Sequence, residues 1–80
     1  MRFEDFDLRL TRMLQSLPAG TIAELADCWI AWWDGACTMY ARIGADGRPA
    51  GRHASDLVGE WEQWRDWLAV WIDEPRFSTR

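Results

Sequence analysis

The 80-residue chain reads as an all-α domain, a small three-helix bundle. Three observations predict it. Apolar residues recur at three- and four-residue steps in two segments, 3–16 and 55–73. A third segment, 22–43, carries an apolar stripe that is continuous when wound at about 100° per residue. Breakers separate the three: Leu17-Pro18-Ala19-Gly20, a Gly-rich polar stretch over residues 44–54, and Pro75.

The first helix, residues 3–16, places Phe3, Phe6, Leu10, Met13, Leu14 and Leu17 on one face. Glu4, Asp5 and Asp7 complement the dipole at its start, and Asp5 and Arg9 stand in the favourable i, i+4 order. Thr21 and Glu24 then form a capping box for the second helix, residues 22–43. Its stripe is Ile22, Leu25, Ala26, Trp29, Trp33, Ala36, Tyr40 and Ile43, at the cost of an interior Gly35, about 1 kcal/mol relative to Ala. The alternative is an α+β fold with a short hairpin around residues 30–43, turning at Asp34-Gly35, a signal that Asp46-Gly47 repeats. The poor strand character of Arg48-Pro49-Ala50-Gly51-Arg52 favours the helix.

Residues 44–54 form a reversing loop that carries Arg48, Arg52 and His53. Ser55 caps the last helix, residues 55–73, in which Leu57, Trp61, Trp64, Leu68 and Trp71 make the strongest periodic signal. Residues 75–80 read as a frayed tail. One small helical domain over residues 1–80 is expected, since a chain this short supports a single core.

Composition narrows the function classes. All nine basic residues are Arg, and Lys and Asn, both read from AA-starting codons, are absent; this points to a GC-rich genome, bacterial or phage. A net charge of −4 argues against direct binding of nucleic acid or of an anionic membrane surface. The longest apolar run, Cys28 to Trp33, is far short of the ~20 residues of a membrane span, and the acidic N-terminus is no secretory signal. Cys28 and Cys37 lack zinc-ligand spacing and read as small core residues of a reducing cytoplasm. No metal or cofactor is expected. His53, Ser55 and Asp56 hold the residue types of a hydrolytic triad but crowd within four positions, and Gly44, Gly47 and Gly51 lack phosphate-loop spacing. The chain is therefore expected not to be an enzyme.

Two surface features remain. Glu62, Asp66 and Asp73 fall within about 40° of one another on the last helix, opposite its Trp stripe. Residues 54–74 carry six acids against Arg65 alone, so an acidic ridge is expected there. Seven Trp are more than a three-helix core of this length needs, and Trp32 and Trp67 lie off their stripes as candidate aromatic anchors.

In size, acidity and lack of catalytic groupings the chain is similar in profile to small phage-encoded inhibitors of bacterial defence such as anti-CRISPR proteins. That resemblance implies a cytoplasmic inhibitor that binds and blocks a larger, nucleic-acid-handling complex through its basic surface. No stretch of residues matches a motif of that group, so no residue role follows from it. The alternative is a homo-oligomeric regulatory or accessory subunit, antitoxin-like, with its surplus Trp packed across a two-fold interface as a homodimer.

Overall fold

A computed structural model describes residues 1–26, 28–50 and 57–79. Its elements are α1 (Phe3–Gln15), β1 (Thr21–Glu24), β2 (Trp29–Trp33), β3 (Thr38–Ile43), β4 (Pro49–Ala50), α2 (Trp61–Asp73) and β5 (Phe77–Thr79). The fold is α+β, and the expected three-helix bundle is overturned: two of its helices stand, and the middle one is a sheet. Five antiparallel strands run in the order β4-β3-β2-β1-β5. The first four form a meander, and the chain returns through α2 to lay β5 along the free side of β1.

Turn chemistry explains why residues 22–43 are not helical. The Asp34 side-chain Oδ1 accepts N–H bonds from Ala36 and Cys37, both at 2.8 Å, and Gly35 takes φ +99°. That left-handed conformation costs a residue with a Cβ, and the carboxylate replaces the helical acceptors of these amides. Trp29 then pairs with Arg42 and Trp33 with Thr38 across the hairpin. The second Asp-Gly works in the same way: Gly47 has φ +77° and Asp46 Oδ1 accepts from the Arg48 N–H at 3.0 Å. The expected loop over residues 44–54 therefore contributes a two-residue edge strand, with Pro49 opposite Ile43. The tail expected to fray pairs instead, Phe77 opposite Ala23 and Thr79 opposite Thr21.

Both helices lie on one face of the sheet. Register places Ala23, Ala31 and Tyr40 in one cross-strand row, with Trp29 and Phe77 on the same face. Onto this face α1 inserts Phe6, Leu10 and Leu14, and α2 inserts Trp61, Leu68, Trp71 and Ile72. Each of these side chains exposes 6% or less of its surface. Aromatic edges knit the layers: Phe3 meets Trp61 at 5.7 Å and Trp71 meets Phe77 at 5.8 Å, both near perpendicular. The predicted apolar faces of residues 3–16 and of the last helix are thus the buried ones, with the last helix observed from Trp61.

The opposite face carries Ile22, Ile30, Trp32, Met39, Ala41 and Ile43. None of these six belongs to the central core, and neither described helix packs its buried stripe against them. Ile30 and Ala41 are nonetheless buried, at 6% and 0% exposure.

Candidate functional site

Three polar contacts seat the helices on the sheet. Glu60, just ahead of α2, accepts the indole N–H of Trp29 (3.2 Å) and of Trp64 (3.0 Å) through Oε2. Its Oε1 takes the Arg42 guanidinium at 3.0 Å, so one carboxylate ties β2, β3 and α2 together. Tyr40 donates its hydroxyl proton to Asp7, and the hydroxyls of Thr11 and Thr38 pair. Burial first, then the hydrogen bond to Asp7 and its charge, push the Tyr40 phenol well above its ordinary pKa. Each of these contacts joins a helix to the sheet, which marks the groups as structural. Sequence reasoning missed all three contacts because each joins residues at least 18 positions apart, except Glu60–Trp64.

The hairpin tip is different. Hydrogen bonds from the Cys37 and then the Ala36 backbone hold the Asp34 carboxyl below its ordinary pKa. The Cys37 thiol is pushed up, by local desolvation first and then by the Asp34 charge and hydrogen bond. Cys37 is exposed, contrary to the expected core placement, while Cys28 is half-buried against the core. They occupy opposite ends of the hairpin, roughly 20 Å apart at about 3.4 Å per strand residue, beyond disulfide reach. His53, Ser55 and Asp56, with Gly51 and Arg52, lie outside the described residues.

The acidic residues of α2 stand where helical spacing places them. The side chains of Glu62, Asp66 and Asp73 are 82%, 99% and 74% exposed. Each has an arginine nearby: Arg65 lies 3.3 Å from Glu62 and 3.6 Å from Asp66, and Arg9 of α1 lies 3.5 Å from Asp73. Such exposed pairs are worth little, so the arginines mute the ridge without removing its charge.

Trp32 and Trp67 do not come together. Trp32 sits on the uncovered sheet face between Ile22 and Met39, whereas Trp67 projects from α2, 48% exposed, beside Val70 at 63%. Of the two, only Trp67 adjoins the ridge, through Asp66. Asp66, Trp67, Val70, Trp71, Glu74 and Arg76 line a cleft of about 380 Å³. A second cleft of about 290 Å³ shares Trp67 and Arg76 and continues past Leu25 and Ala26 to Ile30 and Ile43 at the end of the sheet. Val70 and the clefts were not legible in the sequence, because Val70 joins the surface only through its exposure next to Trp67.

Among the described residues no His, Cys, Asp or Glu side chains group as a metal site, and no helix is long and apolar enough to cross a membrane. No protein-family model matches the chain, and neither a curated protein nor a solved structure is significantly similar to it.

Proposed function

We propose that this protein is a non-catalytic binding module whose outer α2 surface docks on, and blocks, a basic surface of a larger protein complex. The observation that carries the reading is the grouping of Trp67 and Val70, both strongly exposed, with Asp66 and Glu74 around one cleft, on the helix that also carries Glu62 and Asp73. Exposed aromatic and apolar area supplies affinity once desolvated, and the surrounding carboxylates supply orientation and on-rate toward a basic partner. Similarity in profile to small anti-defence inhibitors makes a nucleic-acid-handling complex the first partner class to test, with the carboxylates standing where phosphates would bind.

The test is a tagged capture from bacterial lysate at low and high salt, read by mass spectrometry. The reading expects a protein with a basic surface that is retained at low salt and lost with Glu62→Arg, Asp66→Arg and Asp73→Arg combined. Capture indifferent to that triple charge reversal at low salt overturns it.

A second reading, homo-oligomerisation, has its own supporting observation in the uncovered apolar face around Trp32. Sheet faces of this kind pack on one another about 10 Å apart. A melting temperature that rises with protein concentration, and stops doing so in Trp32→Glu, favours it; a constant monomer mass by light scattering excludes it.

A further inference from the structure

We infer that the cleft beside Trp67 receives an arginine side chain from the basic partner. The inference rests on the reading of α2 as the partner-facing surface and specifies what that surface holds.

Position along α2 sets out the cleft. Asp66, Val70 and Glu74 follow one another at i, i+4 and i+8, so Val70 forms a floor with one carboxylate a turn before it and one a turn after. The two acidic positions are about 12 Å apart along the axis, room for one guanidinium over Val70 flanked by both carboxylates. Trp67 stands alongside, 48% exposed, and offers its ring to a planar cation. Arginine fits this arrangement better than lysine because its guanidinium stacks on an indole while its edge donors reach carboxylates.

Two further features bear on the occupant. Trp71 lines the same cleft at 5% exposure, and its Nε1–H has no acceptor among the described residues. Because that N–H has no accessible surface, Trp71 offers an occupant an apolar wall and no donor. Arg76 also lines the cleft and opposes an incoming cation. Its charge is opposed by Asp66, which also has Arg65 at 3.6 Å, and by Glu74, and its presence makes the sign of the ligand testable.

The experiment follows the indole N–H resonances of the full chain by NMR during titration with a capped Gly-Arg-Gly peptide, with matched lysine and glutamate peptides alongside. The Trp67 resonance should shift saturably with the arginine peptide, and roughly fivefold more weakly with lysine. Trp67→Leu should weaken binding roughly fivefold and Glu74→Gln about threefold, while Arg76→Gln should tighten it about threefold. These positions are exposed, and a dispersed amide spectrum confirms that each variant folds. Absence of saturable shifts up to about 10 mM, near the weak end of measurable affinity, overturns the inference. So does a response to glutamate that Arg76→Gln abolishes, which would make the cleft an anion site. If the arginine peptide ignores Trp67→Leu while partner capture is still lost on reversing Glu62 and Asp73, the cleft inference fails alone. Arginine binding at Trp67 with capture indifferent to those reversals sinks the partner-docking reading and leaves the cleft.

Discussion

The two faces of the sheet are built from similar residues and have opposite fates. On the covered face Ala23, Trp29, Ala31 and Tyr40 meet α1 and α2 and disappear from solvent. On the other face Ile22, Trp32, Met39 and Ile43 stay partly accessible, while Ile30 and Ala41 are buried. The covered face also carries the polar contacts, from Asp7 to Tyr40, Thr11 to Thr38 and Glu60 to Trp29, which fix where the helices sit. Among the described residues the bare face shows no comparable hydrogen bond to a helix. Hydrophobicity alone thus does not distinguish core from surface here; what distinguishes them is whether a helix with a matching stripe and polar anchors arrives on top.

The sharpest way to break this comparison is to truncate one large side chain on each face. Tyr40→Ala should cost about 3–5 kcal/mol of unfolding free energy by urea titration, because a fully buried ring leaves a cavity under α1. A cost below that of Trp32→Ala would show that the two faces have been assigned the wrong way round.

Tyr40→Phe isolates the polar anchor and should cost about 2 kcal/mol at neutral pH, leaving Asp7 without its donor. Its pH dependence has a definite sign. The folded-state phenol is raised above its unfolded value, so its contribution is complete below about pH 10 and is lost as pH climbs beyond it. Alkaline melting curves should therefore fall more steeply for wild type than for Tyr40→Phe.

Trp32→Ala should cost about 1 kcal/mol in the monomer, the scale of cross-strand pairing with Ile22 and Met39. A much larger loss that grows with protein concentration would mean that the bare face is occupied by a second copy.

The smallest effect lies at the hairpin tip, where the folded Asp34 carboxyl is depressed. Its stabilisation holds above the unfolded aspartate pKa and disappears as pH falls through the lower folded value. The Ala36 and Cys37 amide resonances should move together below the ordinary aspartate range, and Asp34→Ala should abolish that titration.

Legibility in the sequence followed the same division. Each helix buries one face and exposes the other, so the stripes Phe6–Leu10–Leu14 and Trp61–Leu68–Trp71 could be read directly from spacing. Sheet strands announce themselves by alternation, but in Trp29–Trp33 every residue is apolar, because both faces of the central strand are apolar. With period two erased, positions 22, 25, 26, 29 and 33 fitted a helical stripe equally well. The two Asp-Gly pairs carried the contrary signal and marked turns correctly. Of the candidate surface, the acids and Trp67 were legible because they lie on one helix. Their separation from Trp32 was not, since it depends on the parity of a strand whose existence the spacing concealed.

The amino-acid sequence by itself determined the two amphipathic helices, their buried stripes, the turn-forming Asp-Gly pairs and the acidic outer surface of α2, because each depends on neighbours within about one turn of chain. Tertiary structure alone decided that residues 21–43 pair as strands, that β5 closes against β1, that Glu60 gathers two indoles and a guanidinium, and that Trp32 and Trp67 face different ways. Those outcomes rest on pairings between distant segments, whose free energy appears only when the partners meet.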